Sequence, residues 1–297
     1  MSAPANPAHR ANPVERVRAR MGAALFAKVG GPDGPAVRAR VHETPGPRWF
    51  APGSAIRLVH GDASMYVGGI RALLLQSLHA LAMAGVAGHS GYRSDPWGRL
   101  TRTATFLAFT TFGTVEDAQA TVDRIRAVHE RVRGRTPDGR EYRASDPHLL
   151  RWVHVAEVDS FLAAHQRYGV HPLSPAACDE YVAQAATVGA RLGAGRLPQT
   201  VAELRDALDA YRPELEATDA ALDAAAFLLR EPPVSRAMAV PYAMLASGAV
   251  ALLPGWARAE LGRDRWRTRT FGPAAAGLVT RGIRWGARST RPTRNVD

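Results

Sequence analysis

The feature that most constrains this chain is its helix punctuation. Apolar-periodic runs open on a cap residue and close at glycine or proline, and strand signals are scarce. Asp95-Pro96 opens a run to about Thr111, with proline at the first helical position, where its missing N–H costs nothing. Thr114 with Asp117 has the form of a capping box and predicts a helix to Arg133 that stops at Gly134. Asp146-Pro147 starts another, ending before Gly169; Ser174-Pro175 a fourth, ending near Gly193; Thr200 with Glu203 a fifth, ended by Pro213. Between them GRTPDGREYRASD, with its Asp138-Gly139 pair, favours a tight turn and a short hairpin. The expected fold is all-α: one compact helical domain with at most that hairpin.

Two apolar stretches, Ala72 to Gly88 and Ala237 to Pro254, fall short of the roughly 20 apolar residues a spanning helix needs, so both read as buried core helices. Cys178 is the only cysteine, which excludes an intrachain disulfide and a thiolate metal cluster. The N-terminal MSAPANPAHRANPVERVRARMG lacks the apolar core of an export signal, and the expectation is a cytoplasmic protein. The net charge of +11 raises nucleic acid or an anionic membrane as partner. Yet of the 38 basic side chains only Lys28 is lysine, a bias that points to coding composition. No helix-turn-helix signature or interleaving of basic and aromatic residues accompanies the charge, so nucleic acid is not expected, while a peripheral membrane contact through the arginine-rich end stays open.

Metal-hydrolase spacings, phosphate-binding glycine loops and a nucleophile elbow are all missing, which leaves the histidines. His129 shares a helical face with Val122, Ile125 and Val132, and His154 shares one with Leu150, Val158 and Phe161, so both aim at the core. Two accounts stand: satisfied core histidines, or ligands for a metal such as haem iron, for which neutral imidazole in an apolar helical setting is apt. Arg99, Arg102, Thr103 and Phe106 share a face of the preceding helix, which is either a solvated arginine edge beside a buried Phe or a place where arginine pairs with a carboxylate. His79 and His89, which precede that helix, could each face a pocket, but capping or surface roles are the plainer reading; Tyr181 and Asp179 read as packing and capping.

The run HSGYRSDPWGRLTRTATFLAFTTFGT at 89–114, followed by RIRAVHERVRGRTPDGREYRASDPHLLRWVHVAEVDSFL at 124–162, resembles the catalytic domain shared by the MpaB-type oxygenases and the rubber oxygenases (latex-clearing proteins). The likeness extends more weakly through DEYVAQAATVGARLG and LPQTVAELRDALDAY, over roughly residues 50 to 260. It implies a helical fold around one haem b and oxygen-dependent chemistry on an organic substrate. His129 matches the iron ligand; Arg99, Arg102 and Thr103 match the distal motif; His154 would line the pocket or support the haem. The rubber oxygenases carry lysine where this chain has Arg102, and arginine, always protonated, is a poor iron ligand. The resemblance thus implies a haem-dependent oxidoreductase, using dioxygen or peroxide on a hydrophobic or aromatic small molecule. The rivals are a helical carrier of haem or another apolar ligand without turnover, and a basic nucleic-acid- or membrane-surface-binding protein. The expected layout is an N-terminal extension over 1–45, partly flexible, a catalytic domain over 46–270 and a basic tail over 271–297. Oligomeric state is not legible.

Overall fold

Cap residues read from the sequence are the caps that form. In the computed structural model, which describes residues 12–89 and 91–287, the Asp95 side chain accepts from Gly98 N (2.9 Å), Thr114 from Asp117 N (3.2 Å), Asp146 from His148 N (2.8 Å), Ser174 from Ala177 N (3.3 Å) and Thr200 from Glu203 N (3.2 Å). Each satisfies one orphan donor of a helix start, an effect of about 0.5–2 kcal/mol. The helices they open are α6 (Pro96–Phe112), α7 (Val115–His129), α8 (Pro147–Tyr168), α9 (Pro175–Leu192) and α10 (Val201–Ala210). Before them come α1 (Pro13–Gly30), α2 (Gly34–Glu43), α3 (Ala55–His60), α4 (Met65–Gln76) and α5 (Ala80–His89). After them come a 3-10 turn (Arg212–Glu214), α11 (Asp219–Arg230), α12 (Arg236–Leu252), α13 (Gly255–Glu260) and α14 (Trp266–Ala287). The one sheet among the described residues is an antiparallel hairpin, β1 (Arg133–Arg135) with β2 (Glu141–Arg143). The fold is all-α, as expected.

One boundary differs from the sequence reading. α7 ends at His129, and Gly134 is a strand residue opposite Tyr142 rather than a helix stop. The reason is steric: a Cβ at position 134 would lie 2.6 Å from the Tyr142 hydroxyl, so glycine is required for the buried Tyr142 ring to cross the hairpin. Val132 therefore leaves the helical face it was expected to share with His129.

α8 runs through the centre. Trp152, Val155, Ala156 and Ala164 have no exposed surface and pack against α4, α9 and α10. Between α4 and α8 lies a buried charge: Arg71, 3% exposed, pairs with Asp159 at 2.6 Å and donates to Ser160 Oγ (2.6 Å) and Leu252 O (2.9 Å), tying α4 to both α8 and α12.

The two apolar stretches reach the core only in part: Leu74, Leu75, Leu78 and Met83 of the first and Leu245, Ala246, Ala249 and Val250 of the second are buried, whereas Met238 and Val240 are exposed. The first breaks at 77–79 into α4 and α5, and the second is α12; no described helix is long and apolar enough to cross a membrane. Of the stretch expected as a basic tail, residues through Ala287 form α14, which packs along α12, while Arg288, Arg291 and Arg294 lie outside the described residues. Its Arg284 forms a two-pronged pair with Asp62 at 2.8 and 3.0 Å. Burial alone would raise the Asp62 carboxyl, but hydrogen bonds from Arg284 and Ser64 outweigh it and hold it low.

α12 and α14 approach closely because small residues face each other. A Cβ at Gly248 would sit 2.2 Å from Ala276 Cβ, a distance no packing tolerates. Gly248→Leu is expected to pry the helices apart and lower stability by about 1–3 kcal/mol or more, read as a fall in thermal midpoint. An unchanged midpoint would show that this interface is not tightly packed.

In the N-terminal region α1 and α2 pack on α6, and α1 also meets α14. The Lys28 ammonium sits 4.1 Å over the Trp97 ring and Arg40 pairs with Asp117 at 2.6 Å. The expected N-terminal extension, as far as it is described, is thus two helices docked on the domain, with residues 1–11 outside the described part.

Candidate functional site

A cavity opens where α3, α6, α8 and α9 converge on the last residue of α7. Its walls are largely apolar: Ile56, Phe106, Leu107, Leu150, Val153, Val158, Ala185, Val188 and Leu192. The polar groups facing it are His60, Thr110, His129, His154, Glu157 and Tyr181. Both histidines singled out by helical spacing therefore reach one space, His129 from the end of α7 and His154 from the second turn of α8.

Neither is a satisfied core histidine. Nδ1 of His129 and Nε2 of His154 are buried and have no hydrogen-bond partner among the described residues. Burial favours the neutral ring in both: it lowers the His129 pKa and pushes that of His154 down to about 4. The His154 ring passes so close to α9 that a Cβ at Gly189 would lie 2.7 Å from its Nδ1. Since the unfolded chain protonates near pH 6.5 and the native ring resists until about 4, the stability His154 contributes is whole above pH 6.5 and is lost as pH falls toward 4. At about 1.4 kcal/mol per unit, the loss is on the order of 3 kcal/mol. His154→Phe is expected to lose less stability than the parent protein between pH 7 and pH 4.5 in urea unfolding. Parallel losses in both proteins would show that His154 is not held neutral.

A polar chain lies beside them. His60 Nδ1 is 2.8 Å from Thr111 Oγ1 and its Nε2 3.4 Å from the Tyr181 hydroxyl. Burial pushes the His60 pKa down to about 3 and the Tyr181 phenol well up, the latter helped by the charges of Glu157 and Asp159. Glu157, one turn beyond His154 on α8, has its carboxyl pushed up to about 7 by burial. A carboxyl that titrates near neutrality inside an apolar cavity is a ready proton donor and acceptor.

The three α6 residues expected in the distal motif do not line the cavity. Arg102 is exposed and pairs with the cap carboxylate of Asp95 at 3.1 Å, and the exposed Thr103 hydroxyl donates to Arg99 O at 3.1 Å. Arg99 is half-buried, its guanidinium pKa lowered by burial and by Arg102. They share the helical face of Phe106 and Thr110, which do line the cavity, but begin one to three turns toward the helix start. His89 stands exposed beside the Tyr142 ring, and Asp179 accepts from Val201 N at 2.7 Å, a capping role as expected.

Sequence reasoning passed over His60, Glu157 and the cavity role of Tyr181. Glu157 carried a signal, an acid interrupting the apolar face of α8 between His154 and Phe161; His60, on a two-turn helix with no periodicity to read, carried none.

A model of the family described as ER-bound oxygenase mpaB/B'/rubber oxygenase, catalytic domain, matches residues 57–285. The chain belongs to this family. Comparison with curated proteins and with solved structures gives no match. The mpaB/rubber oxygenase match begins inside α3 and ends inside α14, so it takes in nearly the whole cavity wall and leaves α1 and α2 outside. The family is one of oxygenase catalytic domains, and the histidines of the RAVHERVRG and WVHVAEVDS segments of this chain are the two that meet in the cavity.

Proposed function

We propose that this protein is a haem b-dependent oxygenase acting on an apolar organic small molecule, with His129 as the iron ligand. The observation that carries the reading is the pair of unpartnered imidazole nitrogens, on His129 and His154, facing an apolar cavity in an oxygenase-family chain. A buried nitrogen left without a hydrogen bond is costly, and a metal bond removes that cost. The donor set fits the group: neutral imidazole is a usual haem ligand, and apolar walls suit the faces of a macrocycle. Space is the tighter constraint. Some 640 Å³ of unfilled volume, counting the open mouth, is what the walls leave for it.

When bound, haem iron would supply activation of dioxygen or peroxide. The chain's own residues do the rest. His129 offers a neutral ring nitrogen, and His154 would support the group from α8. The walls from α3, α8 and α9 exclude water and hold an apolar substrate. Glu157 moves a proton at its carboxyl oxygen, with the Thr111–His60–Tyr181 chain ordering the polar side of the cavity. Arg99, Arg102 and Thr103 form the polar end of α6, where guanidinium groups would meet the carboxylates of the cofactor.

The test is an absorption spectrum of the protein expressed with ample haem, set beside that of His129→Ala. An intense Soret band that is lost or strongly altered in the variant is the expected result. A band identical in the variant would move the ligand to another histidine, His154 first, and no band in a haem-replete preparation would overturn the reading. Substrate-dependent oxygen uptake by the haem-loaded protein separates an oxygenase from a carrier.

A further inference from the structure

A second group of histidines lies outside the cavity. The break between α4 and α5 carries His79, whose main chain bridges Leu215 in antiparallel fashion, while Glu216 N donates to Leu78 O at 2.9 Å. These bonds bring the 3-10 turn and its Glu214 against His79, and the first turn of α8 adds His148. The result is two imidazoles and a carboxylate, from three segments far apart in sequence, with one ligand atom of each within 4.8 Å of the others. His148 Nε2 lies 2.8 Å and His79 Nε2 3.5 Å from the same oxygen of Glu214. His79 is 3% exposed; its Nδ1 has no hydrogen-bond partner among the described residues, and its Nε2 has only the long approach to Glu214. A neutral imidazole so placed forgoes bonds worth about 1–3 kcal/mol, which a cation at Nε2 would restore.

We propose that His79, His148 and Glu214 form a binding site for a divalent zinc-class cation, separate from the cavity, that pins the first turn of α8. The donor chemistry sets the class: imidazole with carboxylate suits zinc and its neighbours, whereas magnesium and calcium prefer oxygen alone. Three protein ligands leave a position for water, and the half-exposed side chains of His148 and Glu214 put that position on the solvent side. The His148 ring is held from behind, with the Tyr211 hydroxyl 3.4 Å from its Nδ1 and donating to its main-chain oxygen at 2.9 Å, the outer-shell support typical of metal-bound imidazole. Because α8 carries His154 and Glu157, a cation here stabilises the frame of the cavity without entering its chemistry.

Zinc is the probe. Tag-free full-length protein is equilibrated with zinc chloride, dialysed against metal-free buffer, and examined by elemental analysis and thermal melting. The expected result is one zinc per chain with a raised midpoint. His148→Ala and Glu214→Gln, both at half-exposed positions, should each weaken retention at least about tenfold and abolish the rise, while melting like the parent without zinc. His129→Ala should keep its zinc. A parent protein that retains none, retention unaffected in both variants, or loss of zinc in His129→Ala with retention in Glu214→Gln would each overturn the proposal; the last would place the ion in the cavity. Since the haem spectrum plays no part in these readouts, failure here and failure of the haem reading are separately visible.

Discussion

Glu157→Gln is expected to cost activity and to add stability. The native carboxyl holds its proton up to about pH 7, because burial penalises the carboxylate, whereas in the unfolded chain it ionises near 4.5. A raised native pKa means stability that is whole below pH 4.5 and is lost as pH rises through 7, after which the native state carries the full penalty. The difference of about 2.5 units corresponds to roughly 3 kcal/mol. Glutamine has no proton to lose, so the variant should be more stable than the parent at pH 8 by up to that amount and nearly level with it at pH 4.5. Its catalysis should fall by about 10²- to 10⁴-fold, the usual contribution of a positioned proton-transfer group. Urea unfolding at the two pH values and the pH profile of kcat/KM check both halves. A variant that is less stable at pH 8, or that turns over like the parent, would remove Glu157 from the mechanism proposed above.

Arg71→Ala is expected to destabilise the fold by about 3–5 kcal/mol, enough to abolish much of the stability of a typical domain. The magnitude comes from what is left behind. Asp159 would keep its charge between α4 and α8 with no counter-ion, and Ser160 and Leu252 O would each lose a buried donor. Arg71→Met combined with Asp159→Leu removes both charges and refills the space, so it should recover most of the loss. Chemical unfolding of the two single variants and the double one gives the coupling directly. If the double variant is as damaged as the sum of the singles, the pair is not the source of the effect.

The same physics explains what could be read from the sequence and what could not. Helix starts were legible because a cap is a local contract between a side chain and a donor two or three residues on, as at Thr114 and Asp117. The end of α7 was misread because Gly134 answers to Tyr142, eight residues away across a hairpin, a long-range demand that mimics a local one. His129 and His154 were legible as core-facing from spacing alone, and they share a cavity. His60, Tyr181 and Glu157 complete its polar side through contacts separated by scores of residues, to which periodicity is blind. The α6 residues have neighbours that their spacing does not disclose. Arg102 pairs with the helix's own cap carboxylate, a contact that belongs to this chain's Asp95 and that the spacing of the arginines could not disclose.

The meeting of α1 with both α6 and α14 bears on how the chain acquires its structure in time. α1 is the first helix described, yet one of its partners is the last, some 240 residues later. With a contact of such long range, loop closure must be completed before α1 is rewarded for ordering against α14, so that docking belongs to the end of folding rather than the beginning.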